Sequence, residues 1–290
     1  MLKILEDIKL ILIVALVLAA ALPGPAGLMG ELLIPAIMLT VFFSMINMDF
    51  FVPTTEEIKK AAYLLGIGYI ILTGVLILVA QFIPNTDFKN GLILYAAFPP
   101  AVMIVGFSAI WGGSARHALL GELFSYIIGI IITPLISLTF IGNTIETGKL
   151  IEIMIYVFII PLLAVLVIRK ISKWEFKEVK PTINVLNGLV FYILIGQSID
   201  VLVMHFEEFV VSLALIFLVS VALMYVISRL SNRNVDMVLF GTFKNGGAAA
   251  TASLLILNPA ATLFLTVRIV LDVFLIILIE HQVVPKYGKK

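Results

Sequence analysis

Long apolar runs follow one another along almost the whole chain. Ten of them have the roughly 17 to 25 residues that a helix needs to cross a bilayer. Because 62% of the residues are hydrophobic and only 13% are charged, we predict an all-α polytopic membrane protein with ten transmembrane helices. The predicted runs are residues 7–22, 29–49, 60–84, 91–111, 116–140, 149–168, 181–203, 207–230, 236–257 and 259–280.

Positive charges between these runs lie almost entirely on one side. If the ten runs cross the membrane in turn, fifteen of the 19 Lys and Arg residues fall on the face that carries both termini. Only Lys89 and Lys149 fall on the opposite face, and Lys244 and Arg268 lie inside runs. Short cytoplasmic loops are enriched in Lys and Arg. We therefore expect a multi-pass protein of the cell membrane with both termini in the cytoplasm.

The composition also excludes several kinds of chemistry. The chain has no cysteine, which rules out thiolate metal sites and cysteine nucleophiles, and its three histidines are far apart. An intramembrane enzyme needs a catalytic pair on facing helices, and the runs offer only Asp272 with the more peripheral Asp49 and Asp200. We predict no enzyme activity, no metal site, no cofactor and no nucleic-acid partner.

The ninth run carries a lysine near its middle. Residues 236–257 read DMVLFGTFKNGGAAATASLLIL, with Lys244 and Asn245 followed directly by Gly246 and Gly247. A charged side chain at the centre of a membrane helix costs about 2.5 to 3.5 kcal/mol, so Lys244 is expected to face protein or water. Two glycines weaken the helix, and open backbone at this depth must line a protected cavity. The pattern predicts a discontinuous helix that is broken at the glycine pair.

A second break is predicted in the fourth run, at Pro99 and Pro100. Glu122 follows Pro100 and Arg268 follows Gly246 at the same spacing of 22 residues. Since five runs separate the two copies, the second copy has inverted orientation, and we predict two repeats, 1–142 and 143–290, whose broken helices cross. Prolines and glycines are common in membrane helices, so one matched spacing also arises by chance.

Four ionisable residues lie in otherwise apolar surroundings. Arg268 and Asp272 are four apart on one helix face and are expected to pair, either as a structural ion pair or in a functional role. Glu122 and Lys244 have no local partner. They either pair with each other across helices, or leave Lys244 free to meet an anionic substrate beside the positive end of a half-helix.

Two tracts carry a family resemblance. FGTFKNGGAAATASLLILNPAATLFLTV and AAFPPAVMIVGFSAIWGGSARHALLGELFSYIIGIIITPL resemble the second and first crossover regions of the bile acid:sodium symporter family, including Thr133-Pro134 near the end of the fifth helix. Chain length, ten spans and a five-plus-five repeat match over the whole chain. The wider superfamily also contains arsenite and auxin-efflux carriers. The resemblance implies a secondary transporter with its site at the crossing.

The tracts depart from the family at the expected sodium ligands. Phe240 stands where those symporters have a glutamate and Lys244 where they have a glutamine, while Asn245 is retained. In the first crossover, apolar residues around Ile104 replace a Ser-Asn pair. These changes delete oxygens and add a positive charge, which argues against a sodium site of the family type. Our hypothesis is that Lys244 takes the place of the coupling cation.

These observations predict a secondary active transporter of a small organic anion that works by alternating access. Na+ and H+ are the candidate coupling ions, and lipid and the anion are the expected partners. The alternatives are a channel and an uncoupled facilitator or exporter. The predicted substrate and ion-binding residues are Lys244, Asn245, Glu122, Pro99, Pro100, Gly246, Gly247, Ser108, Asn47, Arg268 and Asp272.

Overall fold

Helices make up the regular structure of this chain. The computed structural model describes residues 5–47, 52–172 and 176–284, and it contains no β-strand in that part. Two of the helices contain a π-helical segment, Ile67–Leu72 in α4 and Ile155–Ile159 in α8. The helices in chain order are α1 (Ile8–Ala21), α2 (Pro23–Leu28), α3 (Leu33–Met45), α4 (Thr55–Ala80), α5 (Thr86–Ala97), α6 (Met103–Ile110), α7 (Ala115–Phe140), α8 (Thr147–Ile171), α9 (Val179–Gly196), α10 (Ile199–Met204), α11 (Phe206–Leu230), α12 (Val235–Phe240), α13 (Gly246–Ile256) and α14 (Pro259–Gln282).

Six of these helices are long and apolar enough to cross a membrane, namely α4, α7, α8, α9, α11 and α14. Their outer faces carry large exposed apolar side chains such as Ile70, Ile131 and Leu218. Such faces are unfavourable in water and suit contact with lipid. The described residues are therefore those of a membrane-embedded, all-helical protein.

Side-chain caps fix where the central helices begin. Asn85 and Asn234 cap α5 and α12, Ser114 and Asn258 cap α7 and α14, and Asn245 caps α13. In each case the side-chain oxygen accepts a hydrogen bond from a backbone N–H in the first turn. These N–H groups have no partner within the helix, so a cap stabilises each helix start.

Two short helices, α5 and α13, lie in the interior. Residues 91–97 of α5 and 248–253 of α13 are all buried. The run of small residues in α13 permits close helix approach, as is typical of membrane interiors. A Cβ atom on Gly91 of α5 would lie 2.8 Å from the carbonyl oxygen of Ala261 in α14. The backbones of α5 and α14 are therefore in direct contact, and only glycine fits at this point.

The predicted runs differ from the helices at several ends. The third begins at Thr55 rather than at residue 60, because Thr54 and Glu57 form a reciprocal capping box. The seventh ends at Gly196, and α10 is separate. Gln197 at this end donates to the carbonyl of Ala26 at 3.0 Å, which ties it to α2. The predicted end of the second run, residue 49, lies outside the described residues, as do Lys3, Lys173, Lys286, Lys289 and Lys290 among the counted cations.

Candidate functional site

The chain is interrupted in both places where the sequence predicted a break. Residues 98–102 separate α5 from α6, and residues 241–245 separate α12 from α13. The two interruptions touch each other. Pro100 and Lys244 form an antiparallel β-bridge, and the Asn245 N–H donates to the Pro99 carbonyl at 2.9 Å. Extended backbone from one break thus pairs with extended backbone from the other, inside the protein, where its polar groups need partners.

The end of α5 receives two hydroxyl donors from neighbouring helices. The Thr73 hydroxyl on α4 donates to the carbonyl of Ala96 at 2.8 Å, and the Thr133 hydroxyl on α7 donates to the carbonyl of Ala97 at 2.8 Å. The last carbonyls of a helix have no partner within it, and an unpaired one is costly away from water. The two threonines therefore stabilise the interruption at the prolines.

The second break lies ahead of the glycine pair, which corrects the prediction. Gly246 and Gly247 are the first two residues of α13, and the non-helical residues are 241–245. The helix starts here because the Asn245 side chain accepts from the N–H of Ala248 at 3.1 Å. Gly246 is needed for space, since a Cβ on it would lie 2.8 Å from a side-chain carbon of Ile269.

Lys244 is buried at the crossing with 1% of its surface exposed. Its backbone N–H donates to the Tyr95 hydroxyl at 3.3 Å, and its Nζ lies 4.3 Å from the centre of the Tyr69 ring. The Nζ has no hydrogen-bond partner in the described part of the chain. A cation over an aromatic face gains about 0.5 to 2 kcal/mol. That gain is below the cost of an isolated buried charge.

Glu122 on α7 is the second unpartnered ionisable group. It is fully buried, and neither carboxylate oxygen has a hydrogen-bond partner among the described residues. It interacts electrostatically with Tyr69 and with Tyr126, whose hydroxyl is close to it but lacks hydrogen-bond geometry. The structure shows no ion pair between Glu122 and Lys244 in the part it describes. The pairing alternative is therefore not realised, because the lysine packs over Tyr69 instead.

The predicted pair of Arg268 and Asp272 is confirmed. The guanidinium and the carboxylate form a buried ion pair within one turn of α14. Arg268 also donates to the Ser220 hydroxyl on α11 at 3.3 Å and stacks against Tyr95, with its central carbon 5.4 Å from the ring centre. Tyr95 thus touches both buried cations, Arg268 through its ring and Lys244 through its hydroxyl. The charge of Arg268 is balanced locally, and that of Lys244 is not.

Ser108 bonds Asp236, a residue that was not predicted to belong to the site. Its hydroxyl donates to the buried carboxylate of Asp236, in the first turn of α12. Both oxygens of that carboxylate accept from the Ser114 N–H, at 3.2 and 3.0 Å. Because Ser114 caps α7, Asp236 ties the start of α12 to the start of α7. Gly113 makes room for it, since a Cβ there would clash with the carboxylate.

Helices α5 and α14 are joined by a matching contact. Asn258, the cap of α14, donates from its side chain to Asp87 in the first turn of α5 at 2.8 Å. Asn85-Thr86-Asp87 begins α5 and Asn234-Val235-Asp236 begins α12, so the same Asn-x-Asp signal opens both broken pairs. This short repeat is visible in the sequence, and its two aspartates make the two interhelical contacts.

Asn47 makes its hydrogen bonds with a distant backbone segment, and its place in the site stays a prediction. It is exposed, and its amide makes two hydrogen bonds with the backbone of Phe176, donating to the carbonyl at 2.7 Å and accepting from the N–H at 3.0 Å. Both groups of the amide are used in joining the end of α3 to the segment before α9. Its sequence position near the end of an apolar run gave no indication of this distant partner.

The π-helical segment of α4 is the other feature that the sequence analysis missed. A Cβ on Gly68 would lie 3.4 Å from Pro100 and 3.5 Å from the Phe240 carbonyl, so the segment contacts both breaks. Tyr69, which lies under the Lys244 amine, belongs to the same segment. Short π-helical insertions occur often at functional sites. The signal in the sequence was weak, since Tyr69 is one aromatic residue within a long apolar run.

The fold and the site together define a membrane-embedded helical protein in which two interrupted helices meet around a buried, unpaired lysine. No protein-family model matches the chain, and no curated protein is significantly similar to it. The described residues contain no group of three or more His, Asp or Glu side chains placed to hold a metal ion.

Proposed function

We propose that the protein is a secondary active transporter for a small organic anion. In this proposal ten helical crossings form two inverted halves, 1–142 and 143–290, and the interrupted helices of the two halves cross at the site. The observation that carries the proposal is the unpartnered Lys244 at the bridge between the two breaks. Broken helices that meet near the middle of a membrane protein are the usual location of a transport site.

Reciprocal contacts support the inverted halves. Asp87 of α5 bonds the cap of α14, and Asp236 of α12 bonds the cap of α7. Close contacts at two glycines join the same helices. Gly91 of α5 lies against the backbone of α14, and a Cβ on Gly121 of α7 would lie 2.7 Å from the Phe240 ring of α12. The first broken helix of each half is thus held by the helix that follows the break in the other half: α5 by α14, and α12 by α7. Two-fold related halves require this exchange.

The charges at the crossing favour an anion. Lys244 lies one residue before Asn245, the N-cap of the 11-residue helix α13, whose N-terminus carries a partial positive charge. Arg268 has its own carboxylate partner, so within the described ranges Lys244 is the cation at this crossing without a counter-ion. A carboxylate or sulfonate bound beside Lys244 supplies that counter-ion. An Na+ ion at the same place meets a like charge, which argues for the lysine in the role of the coupling cation.

Burial of Lys244 is costly enough to need a reason. A lysine in the middle of a membrane helix costs about 2.5 to 3.5 kcal/mol, and such residues mark substrate or ion pathways. The contact with Tyr69 recovers only part of that cost. An apolar side chain of similar length fits the same space without the penalty. The functional explanation is that the amine is paired only when an anion occupies the site.

Counterflow in proteoliposomes tests the proposal. The purified protein is reconstituted and assayed with three labelled monovalent anions, pyruvate, benzenesulfonate and taurocholate, with and without Na+ and pH gradients. We expect saturable counterflow of at least one anion without a need for Na+, and a loss of tenfold or more in Lys244→Met. Lys59→Met is the matched control, because Lys59 is exposed near the start of α4.

Three results contradict the proposal. Absence of counterflow for all three anions removes the transport assignment. Single-channel currents in planar bilayers replace the carrier by a channel. Counterflow that survives unchanged in Lys244→Met removes the lysine from the anion site. Protease or thiol labelling of tagged termini in intact cells checks the further expectation of a cell-membrane protein with both termini in the cytoplasm.

A further inference from the structure

Two buried groups of opposite sign, both without a hydrogen-bond partner among the described residues, interact with Tyr69. The Lys244 Nζ lies over the ring of Tyr69, and Glu122 interacts electrostatically with the same tyrosine. Neither the amine nor the carboxylate has a hydrogen bond in the described structure. Tyr69 itself is held in place, since its hydroxyl donates to the carbonyl of Ser125 on α7 at 3.1 Å. The arrangement therefore places an acid and a base beside one tyrosine in the protein interior without joining them.

The surrounding groups leave the charge of this pair uncompensated. The ionisable side chains that interact with this pair or with its tyrosines are Tyr69 on α4, Tyr95 on α5, Tyr126 on α7, and Arg268 with Asp272 on α14. Arg268 and Asp272 balance each other as an ion pair. The three tyrosines are neutral when their hydroxyls carry protons. Any net charge at the crossing is therefore set by Lys244, Glu122 and a bound anion.

A net charge buried inside a protein is costly unless a group of opposite charge compensates it, and both Lys244 and Glu122 are buried. With no anion bound, the neutral forms of the pair are amine with carboxylic acid, or ammonium with carboxylate. Both forms hold one exchangeable proton. With a monovalent anion bound, neutrality requires the ammonium together with the carboxylic acid, which hold two. The number of protons thus rises by one on binding, whichever empty form is present.

We propose that Lys244 and Glu122 make the protein an electroneutral symporter that carries one proton with each monovalent anion. This inference rests on the proposed function and adds its coupling ion and stoichiometry. The proton enters from the same side as the anion, resides on Lys244 or Glu122 while the anion is bound, and leaves on the opposite side when the anion dissociates. No covalent bond to the substrate forms, and the site returns to its one-proton state.

Flux measurements on the native protein test the stoichiometry. Benzenesulfonate and taurocholate are suitable probes, because their sulfonate groups stay ionised and any co-transported proton must be carried by the protein. Vesicles contain a pH-sensitive dye, and valinomycin with K+ sets the membrane potential. We expect one proton taken up per anion, uphill uptake driven by a pH gradient that is acidic outside, and less than a twofold effect of potential.

The alternative to electroneutral transport gives a clearly different result. A potential of about 100 mV changes the equilibrium accumulation of an uncompensated monovalent anion about 40-fold. Anion uptake with that dependence and without proton uptake overturns the inference and leaves the proposed transport function standing. If neither sulfonate nor pyruvate is carried, both conclusions fall. If pyruvate alone is carried, its dependence on potential decides, because electroneutral uptake supports the inference and potential-driven uptake overturns it.

A double variant identifies the two residues that carry the proton. Lys244→Arg alone keeps an exchangeable proton on Glu122, and Glu122→Gln alone keeps one on Lys244, so each single variant retains proton uptake. The double variant has a fixed positive charge and no exchangeable proton. We expect its anion uptake to lose proton coupling and to follow the membrane potential. The control is Lys59→Arg with Glu56→Gln, a matched pair at exposed positions on α4.

Proton uptake by the variants is compared with proton uptake by the native protein. Proton uptake that persists in the double variant assigns the coupling to other groups and overturns the roles of Lys244 and Glu122. If the double variant is inactive or unstable, the single variants decide, because loss of proton coupling with retained anion transport in either of them contradicts the shared role.

Discussion

Replacement of Lys244 by methionine is expected to stabilise the protein while it abolishes transport. Methionine is unbranched and apolar and fills similar space without a charge or an unpaired donor. For the ammonium form of Lys244, the substitution removes a cost of about 2.5 to 3.5 kcal/mol for a charged amine at membrane depth. It also removes the contact with the Tyr69 ring, which is worth about 0.5 to 2 kcal/mol. The expected net gain in the free energy of unfolding is about 0.5 to 3 kcal/mol.

The opposite result is expected if the amine has a hidden partner. Removal of one member of a buried ion pair costs about 3 to 5 kcal/mol, because the other charge is left uncompensated. The sign of the change therefore distinguishes a free lysine from a lysine paired with Glu122. The structure favours the free lysine, because neither group has a polar partner in the described residues.

Thermal unfolding in mild detergent measures this change. A gain of about 0.5 to 3 kcal/mol corresponds to a rise in the unfolding midpoint of about 1 to 5 °C for a chain of this size. Lys59→Met should stay within about 0.5 kcal/mol of the native protein, since Lys59 is exposed. A clear fall in the midpoint of Lys244→Met, with the control unchanged, would show that the reasoning from the unpaired amine is wrong.

Three further perturbations test the packing and the site boundaries. Asp236→Ala should lower the free energy of unfolding by about 2 to 4 kcal/mol, because it leaves the buried donors around the α7 cap unpaired; equal unfolding midpoints contradict this. Gly91→Ala should lower the folded yield and the midpoint by more than Gly74→Ala, since its Cβ would meet a backbone oxygen and that at Gly74 meets nothing within 4 Å. Asn47→Ala should leave the apparent affinity for the transported anion unchanged in counterflow, because its amide bonds only distant backbone; a shift of tenfold returns Asn47 to the site.

Much of this protein could be predicted from local sequence patterns. The apolar runs predicted the long helices, and Pro99-Pro100 predicted the interruption after α5, because proline lacks a donor N–H and excludes the helix from the residue before it. The spacing of Arg268 and Asp272 predicted their ion pair, since residues four apart share a helix face. These features depend on interactions within one turn or one helix.

Other features depended on partners that are distant in the sequence. Asn47 bonds the backbone of Phe176, and Asp236 bonds the cap of α7. The residues around Asn47 do not indicate its partner, and the Asn-x-Asp repeat singles out Asp236 without indicating which helix it contacts. The break before Gly246 also begins earlier than the glycines suggested, because the residues around Lys244 pair with Pro100 of the other broken helix. A local pattern cannot show which surface packs against it.

The sequence by itself determined that the chain is helical and membrane-embedded, because only helices satisfy their own backbone within such apolar segments. It also placed a lysine within an interrupted segment. Only the tertiary structure decided that the two breaks touch, that Tyr69 and Tyr95 surround the lysine, and that Glu122 does not pair with it. Whether a buried charge is compensated depends on the groups that other helices bring within reach, and the order of residues along one helix does not contain that information.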